Sequence, residues 1–197
     1  MPVRLIFIVM AAFVIGGLAA LTLRGGPNSG VVHTGKALIG GPFSLADQSG
    51  KRVTDEQFRG KYMLVFFGYT YCPDICPAEL QVMSAAMEKL GAKADRVAPI
   101  FITIDPERDD VATMSGYVSN FDKRFVGLTG TAEEIKAAAS AYRVYYAKAD
   151  GGAPDAYLMD HSTFVYLMDP KGEYVTHFGY GMTADQLADG IAKAMSG

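Results

Sequence analysis

Residues 68–80 read GYTYCPDICPAEL and contain both cysteines of the chain, Cys72 and Cys76, in a C-x-x-x-C arrangement. The apolar run at 62–67 before them is typical of a β-strand, and a helical pattern follows at 77–90. At a strand-to-helix junction the helix dipole and partial exposure lower the pKa of a thiol. The pair is therefore a candidate redox couple, soft-metal site or structural disulfide.

A purely structural disulfide is the weakest of these three interpretations. Closing so short a loop removes only about 2 kcal/mol of chain entropy, and a domain of this size has a core large enough not to need it. Two cysteines in an exported protein favour a redox-handled pair over a disulfide framework. The metal and redox interpretations both stay open on spacing alone.

The start of the helix decides how the two cysteines are placed. If the helix begins at Pro77, Cys76 is its N-cap and Cys72 lies in the preceding loop. If it begins at Pro73, the cysteines lie one turn apart on the same face. The two sulfurs can converge in either case, and a disulfide between them is geometrically possible.

The remaining pattern predicts one α/β domain with a central mixed sheet between helices. An added N-terminal hairpin is predicted at 43–54, and 97–104 is a branched apolar run that suits a parallel strand covered on both faces. The other predicted elements are helices at 109–121, 131–142 and 183–195, a strand at 125–128, and a hairpin at 162–178. Cys72 follows the first central strand at its carboxyl end, where α/β sheets place their sites.

The N-terminal residues predict a membrane anchor. Residues 5–23 carry no charge and would span about 28 Å as a helix, about the thickness of a hydrocarbon core. The run is long for a cleaved signal, so residues 1–24 are predicted to be a single uncleaved span, with a cleaved signal as the alternative. A flexible Gly- and Pro-rich linker at 25–40 and a domain at 41–197 follow.

The charge pattern gives the expected location. Arg4 and the terminal amine favour a cytoplasmic N-terminus, which places the domain in the periplasm at a bacterial inner membrane. The net charge of −3 and the lack of a basic cluster argue against nucleic-acid binding.

His161 is the candidate third member of the site. It ends a segment at 144–160 that has no clear period and is predicted to be an irregular loop. In a layout of this kind the loop before the late hairpin lies beside the first helix, so His161 is expected to face Cys72 and Cys76. Two thiolates and an imidazole suit Cu(I), and zinc with an open fourth position is also allowed. Asp160 is a candidate to orient the His161 ring.

Three motifs in this order resemble those of one family. They are Tyr69-Thr70-Tyr71-Cys72-Pro73-Asp74-Ile75-Cys76-Pro77, Asp105-Pro106-Glu107-Arg108-Asp109 and Asp160-His161-Ser162. Together with the predicted anchor, they resemble the Sco/SenC copper-chaperone family from about residue 41 to 195. The resemblance implies a thioredoxin-like fold that binds one copper ion per chain, Cu(I) or Cu(II), through Cys72, Cys76 and His161. Family members help to load the dinuclear copper site of cytochrome c oxidase subunit II or reduce its cysteines.

The predicted function is therefore a membrane-tethered copper chaperone whose partner is the copper domain of subunit II. Other periplasmic copper carriers or thiol reductants are further expected partners. The alternative is a thiol-disulfide oxidoreductase in which Cys72 and Cys76 exchange electrons. Peroxide reduction fits less well, because one residue separates Thr70 from Cys72 where peroxidatic motifs resemble Thr-x-x-Cys.

Several other residues are predicted to be structural. Met83 and Met87 are four apart on the helix after the site and are expected in the core. His177 lies within the final strand and is expected to be structural. Tyr69 and Tyr71 are candidates for the wall of the metal loop.

Overall fold

The computed structural model describes residues 38–150 and 156–196, which belong to a compact unit spanning Ala37–Gly197. The predicted anchor at 1–24 and residues 25–37 of the predicted linker lie outside the described residues. Among the described helices, none combines the length and the apolar character needed to cross a membrane.

A seven-stranded mixed sheet forms the centre of the domain. The strands along the chain are β1 (Ser44–Asp47), β2 (Arg52–Thr54), β3 (Tyr62–Gly68), β4 (Val97–Thr103), β5 (Val126–Thr129), β6 (Tyr146–Lys148), β7 (Met159–His161), β8 (Val165–Met168) and β9 (Tyr174–Phe178). The main sheet has the order β2-β1-β5-β4-β3-β8-β9, and β6 and β7 form a separate two-stranded sheet.

Four α-helices flank the sheet, so the predicted fold class is confirmed. They are α1 (Ile75–Lys89), α2 (Val111–Val118), α3 (Ala132–Ala141) and α4 (Ala184–Ala194). Two 3-10 helices lie at Asp55–Phe58, between β2 and β3, and at Gly91–Arg96, between α1 and β4. Capping boxes begin α3 at Thr131 and α4 at Thr183, as the threonines in the sequence predict. The side chain of Asp110 caps α2 by accepting a hydrogen bond from the Thr113 N–H.

The central strands β3 and β4 are buried along their whole length. They run parallel, with Tyr62 opposite Val97 and Gly68 opposite Thr103, and β8 pairs antiparallel with the other side of β3. Continuous apolar runs of this kind form strands covered on both faces. We call the loop that follows β3, residues 69–74 with Cys72, the cysteine loop. It lies at the same end of the sheet as the carboxyl end of β4.

Helix α1 begins between the two predicted starting points. Asp74 is the N-cap and Ile75 is the first helical residue, so Cys76 lies in the first turn and is not the N-cap. Pro77 is the third helical residue, where a missing N–H costs nothing because the first N–H groups of a helix have no partner within it. Cys72 lies in the loop before the helix, as it does in one of the two predicted arrangements.

The segment at 144–160 was predicted to be an irregular loop, and this is wrong at both of its ends. Strands β6 and β7 pair antiparallel, with Tyr146 opposite His161 and Lys148 opposite Met159. Three-residue strands are too short to give a recognisable period in the sequence. We call this two-stranded sheet, residues 146–148 and 159–161, the histidine ribbon.

Glu79 on α1 gives the fold a testable pH dependence. Its side chain is only 3% exposed, and burial raises its pKa from 4.5 to about 7. The native state therefore binds the proton more tightly than the unfolded chain, so the free energy of unfolding falls as the pH rises from 4.5 to about 7. Glu79→Gln should remove this part of the pH dependence, measured by urea unfolding at several pH values.

The matched control is Glu88→Gln, an exposed position on the same helix, which should keep the pH profile of the parent. If the free energy of unfolding changed with pH in the same way for the parent and for Glu79→Gln between pH 4.5 and 7, the buried carboxyl would not titrate in that range.

Candidate metal centre

The cysteine loop leaves β3 at Gly68 and turns back at once. The Cys72 N–H donates to the Tyr69 carbonyl at 3.3 Å, and the Cys76 N–H donates to the Cys72 sulfur at 3.4 Å. Both cysteines are free, with Cys72 partly exposed and Cys76 fully buried. The first turn of α1 therefore directs one backbone donor at the more accessible sulfur.

A buried carboxylate, that of Asp109, anchors this loop to the end of β4. It accepts hydrogen bonds from the Thr70 N–H at 3.0 Å, the Thr70 hydroxyl at 2.5 Å and the Thr103 hydroxyl at 2.6 Å. Burial raises the pKa of Asp109, and the hydrogen bonds from Thr103 and Thr70 act in the opposite direction. Because Thr70 lies two residues before Cys72, these bonds fix the path of the chain into the site.

His161 lies on the histidine ribbon, and its ring faces Cys76, as expected of the loop predicted there. Its Nε2 lies 3.5 Å from the Cys76 sulfur, and its Nδ1 lies 2.9 Å from the Ser162 carbonyl oxygen. A carbonyl oxygen only accepts, so Nδ1–H is the donor to Ser162, and Nε2 is the ring nitrogen that faces the sulfur. The ring packs edge-on against Phe66 and Tyr69.

Asp160 was predicted to orient the His161 ring, and the structure assigns this contact to the Ser162 carbonyl instead. Adjacent side chains on a strand point to opposite faces, so the residue before His161 is badly placed for the task. A backbone carbonyl is a common partner for the second nitrogen of a liganding histidine.

The two thiols have very different proton affinities. A hydrogen bond from the Cys76 thiol, helped by the His161 side chain and by the backbone N–H groups of Cys76 and Asp74, lowers the pKa of Cys72 to about 3. The same thiol-to-thiolate bond, together with burial, raises the pKa of Cys76. In this pair the Cys76 thiol is therefore the hydrogen-bond donor and the Cys72 sulfur is the acceptor.

Cys72, Cys76 and His161 remain the predicted ligand set. The Cys76 sulfur and the His161 Nε2 are 3.5 Å apart. A metal ion bound to both, with bonds of about 2.3 Å to sulfur and about 2.0 Å to nitrogen, would have a sulfur–metal–nitrogen angle of about 110°. In residues 38–150 and 156–196, no group of three or more His, Cys, Asp and Glu side chains already has the spacing of a metal site.

A cavity of about 320 Å³ opens beside the site. Its lining combines site residues with apolar side chains: Tyr69, Cys72, Pro73, Asp74, Ile75, Ala149, Leu158, Met159, Asp160, His161 and Thr163. The accessible sulfur and the imidazole both border it, so a small ion or a partner's ligand can approach Cys72 without passing through the core.

Met83, Met87 and His177, which were predicted to be structural, are not among the residues that line this cavity. Met83 and Met87 are completely buried, as predicted. His177 lies on β9, where its Nδ1 is 2.5 Å from the Tyr174 hydroxyl. Tyr69 is buried beside the His161 ring, whereas Tyr71 is 58% exposed.

Sequence reasoning missed three contributors to the site: Gly68, Asp109 and Ser162. A Cβ on Gly68 would lie 2.8 Å from the Cys76 sulfur and 2.9 Å from the Phe101 ring, so only glycine fits there. Asp109 was predicted only as the first residue of the helix at 109–121. The glycine that ends an otherwise bulky strand just before the cysteines was the available signal, since glycine in a strand often marks a close approach.

Comparison with known proteins identifies the family. The sequence model of SCO1/SenC matches residues 31–196. The chain belongs to the SCO1/SenC family. The SCO1 homolog 1, mitochondrial, of Arabidopsis thaliana is 45% identical over 175 residues, which cover 88% of this chain and 51% of that protein. The chain thus spans about half the length of this curated relative.

Solved structures of the family share the fold. The structure of Bradyrhizobium japonicum ScoI with copper bound matches with a TM-score of 0.73 at 46% identity, covering 79% of this chain and 99% of that one. BsSco, described as a member of the Sco family of cytochrome c oxidase assembly proteins, matches with a TM-score of 0.64 at 26% identity, covering 81% of this chain and 94% of that one. The predicted family and the thioredoxin-like fold are confirmed.

Gly68 gives a test of the packing beneath the site. Gly68→Ala should lower the free energy of unfolding by about 1–3 kcal/mol, because the new methyl group overlaps the Cys76 sulfur and the Phe101 ring. Urea unfolding of the reduced protein measures this.

Gly116→Ala is the matched control, since a Cβ at this position in α2 meets nothing within 4 Å. Replacing glycine inside a helix should raise the free energy of unfolding by about 0.5–1 kcal/mol. If both variants were stabilised alike, the space above Gly68 would be larger than the structure shows.

Proposed function

We propose that the chain is a membrane-tethered copper chaperone. It binds one copper ion through Cys72, Cys76 and His161 and delivers it to the dinuclear copper site of cytochrome c oxidase subunit II. The observation that carries the proposal is the approach of the His161 Nε2 to within 3.5 Å of the sulfur of Cys76, whose backbone N–H donates to the sulfur of Cys72. Residues far apart in the sequence meet here.

The donor set suits this cargo. Thiolate sulfur is a soft ligand that selects Cu(I), and imidazole suits copper in both oxidation states. The copper in the Bradyrhizobium japonicum ScoI structure and the description of BsSco as an oxidase assembly protein support the same cargo and the same destination. The family relationship links the chain to both.

The asymmetry of the thiols suits capture and release. Cys72 is a thiolate at the edge of the cavity and can take the ion first, after which Cys76 gives up its proton as it joins. Three protein ligands leave a position open for a donor from the partner, so the ion can move by exchange of one ligand at a time.

The proposed location is the outer face of a bacterial inner membrane. The uncharged run at 5–23 supplies the span and the Gly-rich residues after it supply the tether. Subunit II of the oxidase and other periplasmic copper carriers or thiol reductants are the proposed partners there.

A second candidate function, thiol-disulfide exchange, is favoured by one observation. Two free thiols, of which the accessible Cys72 has its pKa lowered to about 3 while Cys76 keeps its proton, form a reduced dithiol with a ready nucleophile. Such a pair can reduce the cysteines of the subunit II copper site or those of other exported proteins, and become a disulfide in the process.

Copper binding by His161 variants tests the first proposal. The full chain in detergent should bind one Cu(I), and His161→Ala should weaken binding by at least about tenfold because loss of a ligand costs more than loss of an outer hydrogen bond. Metal analysis and competition with a chromophoric Cu(I) chelator measure both quantities. Cys76→Ser should show a loss at least as large.

His177→Ala is the control, because that imidazole lies on β9 against Tyr174. If His161→Ala held copper as tightly as this control, His161 would not be a ligand. If the parent bound no copper at all, the chaperone proposal would fall.

The two functions separate in an assay with the partner. Copper-loaded protein mixed with the reduced copper domain of subunit II should transfer its ion, and His161→Ala should not. The oxidoreductase would be established instead by two results together. The parent would transfer no metal, and His161→Ala would reduce the oxidised subunit II cysteines at the rate of the parent.

A further inference from the structure

We propose that Arg108, acting with Tyr157, is a positioning residue that holds the histidine ribbon against the cysteine loop and so keeps His161 beside Cys76. This inference rests on the proposed function, because it concerns the third ligand of the copper site. It assigns a role to the Asp105–Asp109 turn, which the sequence singled out and the proposed chemistry leaves unused.

The ribbon needs such a holder because it does not belong to the main sheet. Strands β6 and β7 pair with each other, each over three residues, and with no strand of the main sheet. A two-stranded sheet of this size is marginally stable by itself. The position of His161 relative to the cysteines therefore depends on contacts between the ribbon and the edge of the main sheet.

Tyr157, two residues before β7, makes the strongest of these contacts. Its hydroxyl donates to one oxygen of the Asp105 carboxylate at 2.7 Å, and its carbonyl accepts from Arg108 Nη1 at 2.9 Å. The Arg108 Nε donates to the other Asp105 oxygen at 2.5 Å. The guanidinium also lies 3.7 Å from the centre of the Tyr157 ring. Three groups thus close a cycle of charge-assisted hydrogen bonds.

The same guanidinium also contacts the cysteine loop. It lies 4.6 Å from the ring centre of Tyr71, the residue before Cys72, and 5.9 Å from that of Tyr69. The Tyr69 hydroxyl in turn accepts a hydrogen bond from the Met159 N–H of β7 at 3.2 Å. One planar cation therefore lies between the two parts of the chain that carry the proposed ligands.

The burial of Arg108 shows that its place is not set by hydrogen bonding alone. Its side chain is only 13% exposed, and its Nη2 is buried with no hydrogen-bond partner in the described part of the chain. An unpaired buried donor is unfavourable, and natural proteins keep such costs mainly at functional sites. Lysine could not reproduce the arrangement, because it lacks the flat fork that bonds and stacks at once.

Lys148 offers a contrasting contact on the same ribbon. Its Nζ pairs with Glu107 at 2.8 Å and lies 4.2 Å from the centre of the Tyr157 ring, but half of its side chain is exposed. Exposed ion pairs contribute little. Lys148→Gln therefore removes a cation from the ribbon without removing the buried bridge, which makes it the matched control.

The first test is amide hydrogen exchange of the metal-free full chain. Arg108→Gln should speed exchange of the ribbon amides by about ten- to a hundredfold, the range expected for loss of a hydrogen bond to a charged group. Exchange in β3 and β4 should not change. Tyr157→Phe keeps the ring and loses only the hydroxyl, and should raise ribbon exchange by about tenfold.

The second test follows copper bound to the same variants. Arg108→Gln and Tyr157→Phe should release Cu(I) to a chelator faster by a factor similar to the change in exchange, and the Cu(II) forms should show weaker nitrogen hyperfine coupling from His161. Lys148→Gln should match the parent in both. This spectroscopic readout separates a positioned imidazole from general stability.

The outcomes distinguish this inference from the proposed function. The inference would be overturned if Arg108→Gln left the hydrogen exchange of the ribbon unchanged, or if Lys148→Gln speeded that exchange as much as Arg108→Gln does. It would also be overturned if Arg108→Gln exchanged faster but released copper at the rate of the parent. If Arg108→Gln did not fold, Tyr157→Phe would decide by the same criteria. A parent that binds no copper would instead defeat the proposed function, while the exchange experiment would still report on the bridge.

Discussion

The site depends first on the hydrogen bonds that the buried Asp109 carboxylate accepts from Thr70 and Thr103. They join the loop after β3 to the end of β4, so the two central parallel strands and the cysteine loop form one rigid unit. Without them the loop would be held by its own turn, by the start of α1 and by the contacts of its tyrosines with Arg108 and Met159. An apolar residue at 109 could fill the space but could not bond both threonines.

The site joins two structural units of unequal rigidity. The cysteines come from the buried centre of the main sheet, and the imidazole comes from the small ribbon beside it. In the proposed chaperone function, the imidazole is therefore the ligand that comes from the smaller unit. The cavity at Cys72 lies on the side from which a partner can approach.

Local patterns in the sequence predict most of the strands and helices. They predict few of the contacts between residues that are distant in the sequence. The apolar runs at β3 and β4, the capping threonines and the late hairpin each have a local signal, and their positions are confirmed. The ribbon has no such signal, since its strands are three residues long. The roles of Asp109, Ser162 and Arg108 depend on neighbours 20 or more residues away or on backbone geometry, which no spacing rule encodes. The ligand roles of Cys72, Cys76 and His161 stay a prediction.

The separate two-stranded sheet carries the proposed third ligand, His161, outside the main sheet. Because β6 and β7 share no ladder with the seven strands, the residue at position 161 can be exchanged without rebuilding the scaffold that carries the sulfurs. A thioether or a third thiolate placed there would retune metal preference and redox behaviour on an otherwise unaltered frame. Position 161 can therefore vary, in evolution or by design, while the two cysteines keep their places.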